Sequence, residues 1–412
     1  MLITNKINIV LAILVSIIPL SIIIGSSVSL TNIILIGFFA IFFLAKKDFL
    51  NLLKNREIQL LLLLYLYLIF NSFIAIDFET SANRNFGFIR FILLFISINY
   101  LFKNFSNSNL VFNFWFAVIF IVSIDSFIEF YFGRNILGYG ELYGERIVSF
   151  FKDEPVVGAF LNGFIFIIIG YFFDKSLHKN AKFKLLLFLI ILTLFLTVLI
   201  TGERSNGIKL IIGIAIFVFL NPKLGLKFKI YTSASIFIIF SLLILNSNYV
   251  KNRYYDTFIY YLIDKDRLSN YLNNQHYFEL YVSGIQVFKD YPLLGVGNKN
   301  YRVVTIRDAQ IKENYEISTH PHQVFFEFLS EHGLVGTLIL LSIIFKLMFK
   351  NLKVIILSRN SIQLGCLCYL IINFIPLLPS GAFFADFNST LFWLNLSIMY
   401  ACNQKTNVFY NK

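Results

Sequence analysis

Two histidines flank a proline immediately before an apolar segment near residue 320. The stretch reads THPHQVFFEFLSEHGLVG over residues 319–336, and it holds three of the five histidines of the chain. Pro321 suits the first position of a helix, where its missing N–H leaves no hydrogen bond unmade. His322 is then expected in the first helical turn, where the positive end of the helix dipole disfavours imidazolium. A neutral imidazole near pH 7 can take a proton from a hydroxyl, so His322 is the candidate general base.

Two other interpretations of these histidines stay open from the sequence. His320 and His322 are also typical of ordinary polar residues at a membrane interface. A metal site would draw on this His-x-His pair together with Glu327 and His332. However, the pair is only two residues apart, and His332 lies ten residues further along the predicted helix. We therefore predict no metal site and no cofactor, and His320 becomes a candidate substrate contact.

The segments around the histidines predict two helices and a turn. Residues 288–301, FKDYPLLGVGNKNY, indicate a helix that ends near Asp290 and then a turn built on two glycines. A lone Gly-x-Gly is weak evidence for a phosphate-binding loop and more often makes a turn. The helix that follows the histidines is predicted to be amphipathic, with Glu327 and Glu331 on a different face from the phenylalanines.

The composition places these segments in a membrane protein. The chain is 58% hydrophobic and only 14% charged, whereas soluble proteins have about 25% charged residues. Apolar runs long enough to span a bilayer recur along the whole length. We predict an all-α, polytopic integral membrane protein with about 12 transmembrane helices. The predicted spans are 7–25, 28–45, 58–76, 88–102, 110–132, 155–173, 185–201, 207–220, 230–246, 333–349, 361–378 and 382–402.

The distribution of lysine and arginine predicts the orientation. With a cytoplasmic N-terminus, the inner segments hold 19 of these residues and the short outer loops hold 5, as the positive-inside rule requires. We expect a multi-pass protein of the bacterial inner membrane with both termini in the cytoplasm. The chain then divides into helices 1–9 over 1–246, a large periplasmic loop over 247–332, and helices 10–12 with a cytoplasmic tail over 333–412.

The net charge of +12 is explained by this bias and by attraction to anionic membrane lipids. A nucleic-acid partner is not expected, because no soluble module presents a basic face. The three cysteines fall inside the last two predicted spans, so disulfides are not expected either.

The signature stretch resembles that of the O-antigen ligases. Their pattern is a His, then Asn, Ser or Gln, nine residues, Gly, two residues, and a small or polar residue. Here these positions are His322, Gln323, Gly333 and Gly336. The upstream YPLLGVGNKNY is similar to the segment before the signature in ligases and in the related O-antigen polymerases. Twelve spans with a large outer loop between helices 9 and 10 also match the layout of this family.

The resemblance implies a membrane glycosyltransferase that works outside the cytoplasm. A polyprenyl-diphosphate-linked glycan donates its reducing-end sugar to an acceptor hydroxyl, and the lipid diphosphate leaves. His322 is the signature histidine. Arg204 in TGERSN resembles an arginine-bearing outer loop of the family, and a guanidinium suits phosphate oxygens; an arginine simply paired with Glu203 is the alternative. Arg146 in GERIVSFF is a candidate contact along the sugar path.

One arginine of the family pattern is missing. It precedes the Pro-Leu-x-Gly-x-Gly turn and falls at about Tyr277 in this chain. Arg267, His276 or Arg302 would have to supply that second diphosphate contact.

Arg90 raises a separate question, because it falls within the fourth predicted span. An arginine inside a membrane is a functional candidate by default, and Asp125 or Glu129 is its expected partner. A purely structural ion pair is the alternative.

The acceptor remains open between two members of the family. A ligase transfers the glycan to the lipid A core, and the signature spacing favours this reading. A polymerase transfers it to a second lipid-linked glycan. A transporter of lipid-linked sugars is the rival class, but such proteins tend to show inverted repeats, and no repeat is visible here.

Overall fold

The structure of the protein, a computed structural model, describes residues 2–43, 49–140, 146–152, 154–176, 179–259, 276–312 and 314–410. Within these ranges the chain is helical and contains no β-strand. The helices in chain order are α1 (Leu2–Ser16), α2 (Ile18–Ile24), α3 (Ser26–Phe43), α4 (Phe49–Leu52), α5 (Arg56–Phe73), α6 (Phe78–Gly87), α7 (Ile89–Asn104), α8 (Asn109–Phe132), α9 (Val157–Ser176), α10 (Ala181–Ile200), α11 (Arg204–Leu220), α12 (Leu226–Asn246), α13 (Asn248–Val250), α14 (His276–Asp290), α15 (Tyr301–Asp308), α16 (Val324–Phe349), α17 (Leu352–Leu357), α18 (Ser361–Ile372) and α19 (Asp386–Ala401). A 3-10 turn lies at Ser149–Phe151 and a π-helix at Lys251–Ile259.

Seven helical spans in the described residues are long and apolar enough to cross a membrane, or eight if the bent pair α1 and α2 is one span. A helix lies at each predicted span, but the predicted count of twelve is not confirmed. Several helices are short: α18 has 12 residues and α19 has 16, against about 20 for a straight crossing of the bilayer. The three-part division of the chain and the cytoplasmic placement of its termini stay predictions.

Prolines interrupt the helical pattern in two places. Between α1 and α2 the axis bends by 45°, next to Pro19, which has no N–H to donate to the carbonyl of Val15. Near the other end of the chain, α18 stops at Ile372, and residues 373–385 are irregular. This second break shortens the predicted spans 361–378 and 382–402, and it contains Pro376 and Pro379.

Helix α9 is buried along nearly all of its length and packs closely against α18. A Cβ atom at Gly170 would overlap the backbone of Ser361, and one at Gly365 would overlap the backbone of Phe166. Small residues let the two backbones approach, as in other membrane helix pairs. Helix α19 packs on α7, and α14 packs on α16.

Helix α16 carries a kink at Gly333, where φ is 64° and ψ is −171°. Only glycine adopts this conformation readily. The two helical hydrogen bonds that would cross the kink are replaced by four to the loop 292–297, which contains the predicted glycine turn. They join Val296 N–H to Ser330 O (3.0 Å), Gly297 N–H to Glu331 O (2.8 Å), Leu334 N–H to Pro292 O (2.8 Å) and Val335 N–H to Leu293 O (3.1 Å). The kink at Gly333 therefore lets α16 bind the upstream segment PLLGVG, residues 292–297, through these four hydrogen bonds.

The predicted start of α16 is wrong. The helix begins at Val324, and Gln323 caps it, since its side-chain oxygen accepts the N–H groups of Phe325 (2.8 Å) and Phe326 (3.1 Å). Pro321 and His322 therefore lie before the helix and not in its first turn. The side-chain amide of Gln323, and not Pro321, therefore marks the start of the helix.

The predicted polar face of α16 is also wrong, because Glu327 and Glu331 are both buried. Glu327 accepts the N–H of Phe383 through both carboxylate oxygens (3.0 and 3.1 Å). Glu331 accepts the N–H groups of Lys299 (2.8 Å) and Tyr301 (3.3 Å). The two carboxylates face inward because the neighbouring loops offer unpaired N–H groups there.

Candidate active site

A cavity of about 410 Å³ lies beside His322. Its walls come from the start of α9, the start of α11, helix α14 and the irregular stretch 377–381, which are far apart in the sequence. The charged or imidazole side chains in its lining are Arg146, Glu203, Arg204, Lys209 and His322. With a neutral imidazole, the three cations leave two net positive charges around the cavity when Glu203 is ionised and three when it is protonated. Such a site favours an anionic ligand.

His322 is half-buried in the cavity wall and has a left-handed backbone, with φ at 55°. Its carbonyl accepts the N–H of Ser380 (2.8 Å), which holds the backbone in this conformation. Burial and, second, the charge of His276 lower the pKa of His322. The lowered pKa favours the neutral ring near pH 7, and the cause is burial and not a helix dipole. Its nitrogens make no hydrogen bond to any described residue, so they are open to a substrate hydroxyl.

His320 lies directly behind His322, with the two ring centroids 4.0 Å apart. It is buried and does not line the cavity. Its Nε2 lies 3.2 Å from the carbonyl oxygen of Ser380, and its Nδ1 lies 2.9 Å from the hydroxyl of Thr319. Because a carbonyl only accepts, Nε2 carries the hydrogen and Nδ1 accepts from the hydroxyl. Burial, followed by the effect of His322, lowers the pKa of His320 to about 3, so this ring is a neutral support.

Arg204 is the first residue of α11 and lines the cavity. The preceding residue, Glu203, is half-buried; its carboxylate accepts the N–H of Gly158 at the start of α9 and the side-chain amide of Asn206 (2.7 Å). Burial raises the pKa of Glu203 to about 7, although these hydrogen bonds and the charge of Arg146 oppose the rise. The turn thus presents a guanidinium beside the N-termini of two helices, which themselves favour anions.

Arg146 also reaches the cavity, from the segment that precedes α9. The next residue, Ile147, donates its N–H to the carbonyl of Thr201 (3.2 Å), which joins this segment to the Arg204 turn. Glu129 accepts N–H groups from residues 148 (3.0 Å) and 149 (2.6 Å). The segment that carries Arg146 is therefore joined to the turn before Arg204 by a backbone hydrogen bond and held in place by the carboxylate of Glu129.

The expected partner of Arg90 was wrong. Its guanidinium forms an ion pair with Asp386, the first residue of α19. Asp125 and Glu129 instead accept hydrogen bonds from the segments around residues 135–149. Arg90 therefore ties α7 to α19 and does not line the cavity.

Two of the three residues predicted as a second diphosphate contact, His276 and Arg302, do not line the cavity. His276 has a side chain that is 69% exposed and pairs with Glu279 (3.6 Å). Arg302 lies on α15, outside the lining. Arg267 lies outside the described residues. Tyr277, where the family pattern has its arginine, does line the cavity, and its ring centroid lies 5.5 Å from that of His322.

Glu327 and His332, which a metal site would need as ligands, bind different groups of the protein. Glu327 binds the backbone of Phe383, and His332 meets the hydroxyl of Tyr67 through Nδ1 (3.0 Å). Across the described ranges, no group of three His, Cys, Asp or Glu side chains is arranged to hold a metal ion.

Part of the chain matches a known protein family. Residues 188–341 match the O-antigen ligase family (Wzy_C). The match confirms the resemblance predicted from the signature and covers the Arg204 turn, α11, His320 and His322. No curated protein matches the chain. The O-antigen ligase region alone does not build the whole cavity, because Arg146 and the stretch 377–381 lie outside it.

The sequence analysis missed two parts of the cavity. Lys209 was left inside a predicted span, although a lysine within a membrane helix is itself a signal of function. The stretch 377–381 was predicted as the end of the span 361–378 and the short connection to the span 382–402, and was given no role in the site. Two prolines and the Ser-Gly that follows them mark a break there, and irregular backbone at membrane depth is tolerated where it lines a cavity.

Proposed function

We propose that this protein is a membrane glycosyltransferase of the O-antigen ligase type. It transfers a glycan from a polyprenyl diphosphate to an acceptor hydroxyl on the periplasmic side of the inner membrane, and the acceptor is the lipid A core. The observation that carries the proposal is the cavity itself, which joins a neutral imidazole to two guanidinium groups. This combination suits a hydroxyl that must lose a proton and a diphosphate that must leave.

The chemical step is a displacement at the anomeric carbon of the donor sugar. The acceptor oxygen forms the new bond to that carbon, and its proton passes to the ring nitrogen of His322. The bond from the anomeric carbon to the diphosphate oxygen breaks, and the diphosphate keeps the electron pair. Arg204 stabilises the charge that develops on the departing oxygens, and Arg146 contacts the sugar along its path to the cavity.

A direct test uses purified full-length protein in lipid nanodiscs, supplied with a polyprenyl-diphosphate-linked glycan and lipid A core. We expect the core to gain mass with wild-type protein and not with the His322→Ala variant. No transfer by wild-type protein to either the core or a second lipid-linked glycan would contradict the proposal.

Deletion of the gene separates the ligase from the polymerase. Loss of a ligase leaves long polymer on the polyprenyl carrier and bare lipid A core at the cell surface. Loss of a polymerase leaves cores that carry a single repeat unit. Single-repeat cores in the deletion strain would replace the proposed acceptor with a second lipid-linked glycan, while leaving the roles of His322 and Arg204 unchanged.

A further inference from the structure

Lys209 lies in the cavity wall on the same helix as Arg204, at about 7.5 Å further along the axis of α11. The residue is only 6% exposed. Its ammonium donates one hydrogen bond, to the carbonyl of Pro379 (3.0 Å). An ammonium has three donors, and no described residue accepts a hydrogen bond from the other two. A buried cation with unused donors therefore faces the cavity.

The contacts of Lys209 within the protein do not account for its charge. A neutral donor would suffice for the carbonyl of Pro379, and burying a charge is far more costly than burying a neutral polar group. The stretch 377–381 has a second support, since the hydroxyl of Tyr281 donates to Leu377 O (3.3 Å). Glu203 attracts Lys209, but its carboxylate is already hydrogen-bonded to the start of α9 and to Asn206.

We propose that Lys209 is the second cationic contact for the diphosphate of the donor, an inference that rests on the proposed function. A diphosphate joined to both a lipid and a sugar carries two negative charges, and the cavity lining offers three cations against one carboxyl group with a pKa of about 7. When the sugar leaves, the negative charge on the terminal phosphate grows. A compact ammonium with two free donors is suited to receive it.

This assignment also explains the arginine that is missing at Tyr277. The second cation reaches the cavity from α11, five residues after Arg204, and not from α14. One helix then supplies both phosphate contacts, and the aromatic ring of Tyr277 is left to pack beside His322.

The test measures binding of two short lipid probes, farnesyl diphosphate and farnesyl monophosphate, to full-length protein in nanodiscs. We expect wild-type protein to prefer the diphosphate. In Lys209→Gln, which keeps a donor for Pro379 but has no charge, we expect the Kd for the diphosphate to rise about tenfold or more, with little change for the monophosphate. Lys209→Arg, which keeps the charge, retains the preference for diphosphate.

Controls separate this inference from the loss of a structural contact. Lys223→Gln removes a lysine that pairs with Asp174 (2.6 Å) and does not line the cavity, so both Kd values stay at the wild-type level. If Lys209 only supports the stretch 377–381, its Gln variant keeps the wild-type ratio of the two Kd values, and the inference is overturned. If wild-type protein binds neither probe, the proposed function fails and the inference with it.

Discussion

Replacing Gly333 with alanine tests how firmly the signature helix is locked to the loop 292–297. The φ of 64° and ψ of −171° are accessible to glycine alone, and an alanine there costs about 1–3 kcal/mol in backbone strain. Its Cβ would also lie within 3.0 Å of the backbone of Leu293 and Leu294. Moving that backbone breaks the two hydrogen bonds that the loop accepts after the kink, at about 0.5–1.5 kcal/mol each. We therefore expect the free energy of unfolding to fall by about 2–6 kcal/mol.

Denaturant titration of purified protein in mixed micelles measures this change, and Gly133→Ala is the matched control. Gly133 also has a positive φ, at 77°, but a Cβ there meets nothing within 4 Å. Gly133→Ala is therefore expected to lower the free energy of unfolding only through the left-handed backbone conformation of the alanine, by about 1–2 kcal/mol. Equal losses in the two variants would refute the close lock at the kink, because the steric and hydrogen-bond contributions would then be absent.

Three further predictions concern the cavity. His322→Ala is expected to lower the transfer rate by about 10²–10⁴, the range of a lost general base, while His320→Ala, which removes a support, lowers it less; a larger loss in the His320 variant would contradict these roles. Arg204→Lys is expected to lower the rate by about 10²–10³, because a point charge cannot replace the forked donors, and wild-type kinetics in this variant would leave only a generic positive charge. Because burial and His276 lower the pKa of His322 below 6.5, its imidazolium forms only in more acidic solution, and we expect kcat/KM to fall with acid only below pH 6.5. His276→Gln removes the second cause and is expected to move this acid limb to higher pH. An unchanged acid limb would argue against His322 as the titrating base.

Local patterns predicted most helices and the turn before the signature. The helix ending at Asp290 and the turn at Gly295 and Gly297 are where the sequence indicated, because a proline and two glycines with positive φ are strong local signals. The start of α16 was misplaced because two capping rules competed. Pro321 fits the first position of a helix, but the side chain of Gln323 caps the helix, which begins at Val324.

The remaining errors involve partners that are distant in the sequence. Glu327 and Glu331 have the spacing of a polar helix face, yet loops from elsewhere in the chain offer them N–H groups. The partner of Arg90 lies almost three hundred residues away, at Asp386. No local pattern specifies such contacts. Lys209 is different, since its position inside an apolar helix was already visible in the sequence.

The hydrogen bond between the N–H of Ser380 and the carbonyl of His322 also bears on the timing of biosynthesis. A ribosome makes the signature histidine well before it makes residue 380. The nascent chain can therefore insert α16 while the imidazole still lacks the backbone contact that holds its position. Under the proposed function, we expect activity only after the hairpin of α18 and α19 has been added. A truncated chain that ends after α17 is therefore expected to carry the whole family signature and to be inactive.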